Sequence, residues 1–392
     1  MKNRIIALVD CDSFFVSCEQ ADNPEYKNTP VCVITGSNGC VVSRSREAKK
    51  VGVKMGMPFF MARKEFPNVN YVIANHDKYK IYSDKVMSCL FKFSPDVQVV
   101  SVDEAFIDLT GTRLLYKKNY YEIAKMIRQE ILNKTGIPVS IGVSLSKTLA
   151  KLASDKAKSD DAREKFGGVY LIGSRKIPSV LKNTNIDEIS GIGSANNLTL
   201  RRSGVFTAQE FVKKEDIWIK SLLGVNGLSL KHELLGSVVS PVDNKPEPPK
   251  SIQDTSVICD GTFSSDKTVI KMEIARHIHS ACSRLRYYGA KTSCVGLMLK
   301  TKDFATYYDK KNLLKPTDFE ITVQKTVNEL FDKLFNPNFI YRSTGVVFEH
   351  LSFNDGEQLS LFSQADEKEE KLSKCFDNIQ KRFGKNSIRT GF

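Results

Sequence analysis

The sequence has no run of 18 apolar residues. After Met1-Lys2-Asn3-Arg4 it offers only the short apolar stretch 5–9, with no small-residue cleavage site behind it. A membrane span and a secretory signal are therefore not expected, and a cytoplasmic protein is. The nine cysteines are scattered, odd in number and never spaced Cys-x-x-Cys. That excludes a disulfide framework or a thiolate zinc site and reads as reduced cytosolic thiols. Neither Gly-x-x-x-x-Gly-Lys nor Gly-x-Gly-x-x-Gly occurs, which leaves P-loop and kinase readings without support. No internal repeat of solenoid length is visible.

The chain has 392 residues, 41% of them hydrophobic and 26% charged. That is enough apolar material for real cores and length for several domains. The formal net charge is +13; an excess of this sign favours a polyanionic partner, because each neutralised phosphate releases condensed counterions.

Four prolines among polar residues in 237–251 mark an extended linker. Before it, β-branched runs at 5–9, 31–34, 97–102, 105–109 and 139–143 read as strands, and 120–132 and 145–157 have helical periodicity. The two runs that flank Asp103-Glu104 predict one bent strand or a tight hairpin, so α+β with partly antiparallel pairing is expected over a doubly wound sheet. Beyond the linker, strands at 257–259, 294–299 and 344–348 with helices at 271–286 and 321–335 predict two helices on one small sheet.

Asp10-Cys11-Asp12 closes the first strand, where a carboxylate is rigidly aimed and open to solvent, as a hard cation needs. By itself Asp-x-Asp fits a metal site, a phosphotransfer site or a turn. Asp103-Glu104 lies amid apolar residues, and buried acids need a partner or a metal. Together the two acidic sites suggest Mg²⁺ on Asp10 and Asp103, and hence a polyphosphate substrate whose in-line displacement the metal would assist. The basic clusters Ser43 to Lys50 and Ser146 to Lys158 supply phosphate-binding charge, or else are solvated helix faces. Gly191-Ile192-Gly193 opens a helical segment and could turn its N–H groups to a DNA phosphate, as helix-hairpin-helix elements do.

Five motifs in order then carry a resemblance. They are Val9-Asp10-Cys11-Asp12-Ser13-Phe14-Phe15, Ser45-Arg46-Glu47-Ala48-Lys49, the run from Ser101 to Gly111, the run from Gly142 to Ala153, and Gly191-Ile192-Gly193. From about residue 5 to 362 the chain resembles the Y-family of translesion DNA polymerases, especially the bacterial group that includes the catalytic subunit of DNA polymerase V. The resemblance implies an α+β multidomain, right-hand polymerase with palm, fingers and helical thumb, plus an α/β little-finger domain. It places palm and fingers in 1–165 (fingers about 21–76), the thumb in 166–238, a linker in 239–250, the little finger in 251–354 and a tail in 355–392.

It further implies low-fidelity, template-directed synthesis in DNA repair and damage tolerance, with two Mg²⁺ ions, primer-template DNA and dNTP. Asp10, Asp103 and Glu104 become the catalytic acids and metal ligands, with the Cys11 carbonyl as a backbone ligand. Phe14 and Phe15 fall where the sugar packs, Phe15 as the gate against a ribose 2′-OH; Ser43, Arg46, Lys49 and Lys158 match triphosphate-contacting positions. Some relatives carry Tyr at the position of Arg46 and Arg at that of Lys49, and a Lys cannot make a bidentate fork. Gly191, Ile192 and Gly193 match the DNA-backbone turn. Gln358, Leu359, Leu361 and Phe362 resemble a sliding-clamp-binding peptide; an accessory dimer and a recombinase filament are the further partners known for the polymerase V group. Two rivals remain at this stage: a phosphatase with Asp10 as nucleophile and Asp12 as general acid, and a catalytically inactive DNA-binding scaffold.

Overall fold

A computed structural model describes residues 4–36, 38–245, 248–258 and 263–353, with parts of 371–384. The chain divides into two compact units, Met1–Lys245 and Pro246–Phe392. The cut falls inside the proline-rich stretch, whose described residues form no helix or strand.

The first unit is built on a five-stranded sheet in the spatial order Val97–Val99, Glu104–Asp108, Ile6–Cys11, Val139–Ser144, Val169–Leu171. All neighbours are antiparallel except the last pair. The central strand Ile6–Cys11 is buried along its length, which is why it reads as an unbroken apolar run. Its side chains still alternate. Ala7, Val9 and Cys11 join the main core with helices Phe14–Asp22, His76–Leu90 and Tyr120–Thr135, whereas Ile6 and Leu8 form a smaller cluster with Ala150 of helix Lys147–Ala157. The two-residue period therefore sends Asp10 to the side of helix Lys147–Ala157.

Gly142, opposite Leu8 in register, lets that helix lie directly on the sheet. A Cβ at position 142 would come within 2.0 Å of the Ser154 nitrogen and 2.2 Å of the Ala150 oxygen. Only glycine permits this approach, and it carries the helix's lysines to the sheet's acidic edge.

Local chemistry sets the ends of these elements. Tyr120–Thr135 begins with a reciprocal Asn119/Glu122 capping box and ends on Gly136 at φ 72°. Helix Lys147–Ala157 starts two residues later than the periodicity suggests, because the Ser146 side chain caps it by accepting from the Leu149 N–H. The expected strand 97–102 stops at Val99: the Ser101 hydroxyl accepts from the Asp103 and Glu104 N–H groups and turns the chain into a hairpin.

A second, three-stranded sheet places Val31–Ile34 between Val41–Arg44 and Asn70–Ile73 over its own core of Cys32, Ile34, Val41, Ala48, Val53 and Ala62. Helices Ile177–Lys182, Ser194–Arg202, Ala208–Lys213 and Asp216–Leu234 enclose a third core around Leu181, Leu200, Phe211 and Ile219.

The second unit is a four-stranded antiparallel sheet, Thr306–Thr317, Ala290–Thr301, Tyr341–Phe353 and Ile252–Val257, whose core is shared with helices Lys267–Tyr287 and Glu320–Leu334. Two helices on one sheet is the expected arrangement. The strand Thr306–Thr317 was not expected; it is largely exposed and charged, and pairing with Ala290–Thr301 rather than apolar alternation makes it a strand. The first strand also lies earlier than expected, at Ile252–Val257. Among the described residues no helix is long and apolar enough to cross a membrane, and no disulfide forms.

Candidate active site

Strand register brings the acids together. Asp10 stands opposite Glu104 on one side and Ser140 on the other, and the Cys11 N–H donates to the Asp103 carbonyl at 2.8 Å. Glu104 and Phe106 alternate onto the same face as Asp10. On that face Lys158, the C-cap of helix Lys147–Ala157, donates to Asp10 Oδ2 at 2.6 Å. Lys151, two turns earlier, is ion-paired with Glu104 and lies 3.9 Å from Asp10. Burial pushes the Asp10 carboxyl up to about 6, with Lys158 and Lys151 pulling against it and Asp103 adding to it.

All the sequence-predicted catalytic and nucleotide-binding residues line one cavity of about 910 Å³. Asp10, Cys11, Asp103, Glu104 and Lys158 come from the five-stranded sheet and the helix that lies on it, Ser43, Arg46 and Lys49 from the small sheet and the helix after it, and Phe14 and Phe15 line the cavity as well. Phe14 is buried. Phe15 is half-buried and stacked on Tyr79 with centroids 4.5 Å apart, its edge region met by His76. Ser43 is tied to the start of helix Phe14–Asp22, its hydroxyl donating to the Ser13 carbonyl at 3.3 Å. Burial lowers the Lys49 ammonium pKa, and the neighbouring Arg44 lowers it further.

The hard oxygen donors Asp10, Asp103 and Glu104 suit a divalent cation of the magnesium type. Burial pushes the Cys11 thiol far above the ordinary thiol range and the side chain packs in the core, so only its backbone is suited to a hard cation. Among the described residues no three carboxylates stand close enough to share one ion. Lys158 and Lys151 instead supply positive charge on Asp10 and Glu104. The donor chemistry fits, and cation binding would require both ammonium groups to shift.

Two participants, Lys151 and Arg163, were not singled out from sequence as site residues, and Asp12 entered only as the general acid of the phosphatase rival. Lys151 was visible only as part of a basic run. Asp12 turns away from Asp10: its Oδ1 accepts from Arg163 at 2.7 Å and from the Ser140 hydroxyl at 2.8 Å, and its Oδ2 is buried without a partner. Arg163 also donates to the Lys158 carbonyl at 3.0 Å, so it braces the lysine that reaches Asp10. No sequence spacing signals a contact between residues so far apart.

Gly191, Ile192 and Gly193 lie in the helical layer. Gly191 takes φ 97°, Ile192 is buried, and Gly193 caps helix Ser194–Arg202 without a side-chain hydrogen bond to the helix's first N–H groups. Gln358, Leu359, Leu361 and Phe362 lie outside the described residues.

A strand-end acidic site, a small sheet beside it, a helical layer and a separate α/β unit define the class: the Y-family DNA polymerases. A solved Dbh–Dpo4 chimeric Y-family DNA polymerase superposes with a TM-score of 0.74 at 26% identity, over 89% of this chain and all of that one. A Dbh ternary complex gives 0.59 at 27% identity, over 88% of this chain and 98% of that one. The chain belongs to the impB/mucB/samB family, whose main profile matches residues 9–155 and whose C-terminal-domain profile matches 254–361. Among its relatives, DNA polymerase IV of Oceanobacillus iheyensis is 31% identical over 99% of this chain and 91% of its own length. DNA polymerase IV 1 of Bacillus subtilis is 30% identical over 100% and 93%. SamB of Salmonella typhimurium is 28% identical over 96% and 90%.

Proposed function

We propose that this chain is a template-directed, low-fidelity DNA polymerase of translesion synthesis, extending a primer 3′-OH with dNTP and releasing pyrophosphate. The observation that carries this reading is a single cavity lined by Asp10, Asp103 and Glu104 together with Arg46, Lys49 and Lys158. Acids for a metal-bound polyphosphate and cations for its oxygens line the same cavity, as phosphoryl transfer by positioning and charge neutralisation requires.

Two magnesium ions held by Asp10, Asp103, Glu104 and the Cys11 carbonyl would supply neutralisation of the polyphosphate and acidification of the primer hydroxyl. The chain's own groups do the rest. Lys158, Lys49 and Arg46 bind triphosphate oxygens, with Ser43 as a neutral donor. Phe15, backed by Tyr79, closes the space beside the sugar C2′. Arg163 and Ser140 hold Asp12 by Oδ1, turned away from Asp10, which disfavours the phosphatase rival.

The domains follow the same reading: palm and fingers in 1–165 with fingers at 21–76, thumb at 166–238, linker at 239–250, little finger at 251–354 and tail at 355–392. The small sheet falls within 21–76 and the helical layer within the thumb range. The Gly191-Ile192-Gly193 turn leaves helix N–H groups for a DNA phosphate. A sliding clamp is the proposed partner of Gln358, Leu359, Leu361 and Phe362, with an accessory dimer and recombinase filament as activators of the polymerase V kind. A DNA substrate places the protein at the nucleoid, in the cytoplasm. Primer extension with dNTP and Mg²⁺ tests the reading; an inactive protein that still binds DNA would favour the scaffold rival.

A further inference from the structure

Behind the substrate cavity lies a second one, of about 410 Å³. The two are adjacent: Asp12, Ser13, Arg46 and Arg163 line both. Four cationic side chains, Lys27, Arg46, Arg128 and Arg163, and two acids, Asp12 and Glu47, contribute to the second wall. Asp12 is already engaged by Arg163. Lys27, Arg46 and Arg128 have no carboxylate within ion-pair distance among the described residues; the Asp12 charge acts on Arg46 and Arg128 from farther off, and Glu47 is the other acid of the wall. Half-buried Arg128 extends from helix Tyr120–Thr135 and donates through Nε to the Val139 carbonyl at 3.0 Å. That bond fixes the guanidinium plane and leaves its outer nitrogens without a described partner. Gly168, at φ 78°, keeps the space beside it open: a Cβ there would lie 3.0 Å from Arg128 Nε.

Unpaired cations gathered in a concave site are costly unless an anion visits. We propose that this cavity is a product-side anion subsite that receives inorganic pyrophosphate as it leaves the substrate cavity. The inference rests on the polymerase reading for the origin of the pyrophosphate. Arg46 belongs to both walls, so the anion passes from the Lys49 and Lys158 side to Arg128 without losing a guanidinium partner. Neither Arg128 nor Lys27 lines the substrate cavity, so their removal spares dNTP binding.

The test compares the full chain with Arg128→Gln and Lys27→Gln in two measurements: inhibition of primer extension by added pyrophosphate, and calorimetric binding of magnesium pyrophosphate. Loss of a charged hydrogen bond predicts inhibition and binding about tenfold weaker in Arg128→Gln and about threefold weaker in Lys27→Gln, with the dNTP KM within about twofold of wild type. Pyrophosphate inhibition unchanged in both variants, with extension intact, overturns the subsite and leaves the polymerase reading standing. A dNTP KM that rises in parallel also overturns it, by making the cavity part of the substrate site. Wild-type protein that extends nothing, even with clamp and accessory proteins, yet binds pyrophosphate through Arg128 upholds the anion site and removes the polymerase reading. Should Arg128→Gln fail to fold, Lys27→Gln decides, since the exposed Lys27 ammonium makes no described contact.

Discussion

Lys158 donates to Asp10 across 2.6 Å, joining residues 148 positions apart in the chain. The contact neutralises a carboxylate that burial alone would drive toward its protonated form. It also holds the ammonium at the cavity wall, ready for a second anion.

Lys158→Ala should raise the dNTP KM at least about tenfold while DNA affinity stays within about twofold, since one charged hydrogen bond to phosphate is lost and the DNA-contacting surfaces are untouched. Single-nucleotide insertion kinetics read this. An unchanged KM would mean that Lys158 serves only to neutralise Asp10.

Phe15→Ala should increase ribonucleotide incorporation relative to deoxyribonucleotide by about tenfold or more, because the ring held by Tyr79 is the bulk opposed to a 2′-OH. Competition between rNTP and dNTP at one template base measures it. Unaltered sugar discrimination would remove the gate role from Phe15.

Leu361→Ala with Phe362→Ala should abolish stimulation by the sliding clamp and spare synthesis without it, since apolar anchors on a tail act through effective concentration. Equal loss of both activities would make the segment structural.

The second unit carries its own pH dependence. Burial pushes the Glu320 carboxyl up, but the hydrogen bond and charge of His279, together with Arg286, outweigh it and hold it below the ordinary 4.5. A carboxyl whose folded pKa is depressed stabilises above its unfolded value, and that stability is lost as pH falls through the folded one. Thermal melting should therefore show this contribution fully present above about pH 4.5 and lost below it, and Glu320→Gln should flatten that acid limb. A limb of unchanged slope in the variant would dissociate Glu320 from it.

Much of the site was legible because it is local. Strand Ile6–Cys11 announces itself by its apolar run, and an acid at its end has few structural uses. Asp103-Glu104 sits at a hairpin whose two arms read as strands. What stayed hidden is what tertiary proximity creates. Lys151 meets Glu104, and Arg163 meets Asp12, only after helix Lys147–Ala157 settles on Gly142. Asp12 shares a motif with Asp10 yet faces elsewhere, because the strand ends at Cys11 and the turn through Ser13, at φ 47°, breaks the two-residue alternation that would have put both on one side. Strand Thr306–Thr317 shows no alternation to read, since its pairing partner rather than its own side chains specifies it.

The central claim is that Asp10, Asp103 and Glu104 form the catalytic centre of a DNA polymerase. Primer extension on an undamaged template with Mg²⁺ and dNTP, comparing wild type with Asp103→Ala, tests it most directly. Extension by wild type, with loss of at least about a thousandfold in the variant and primer-template affinity retained, is the expected result. Equal extension by both proteins would contradict the placement of the site, and no extension by wild type even with clamp and accessory proteins would contradict the polymerase itself.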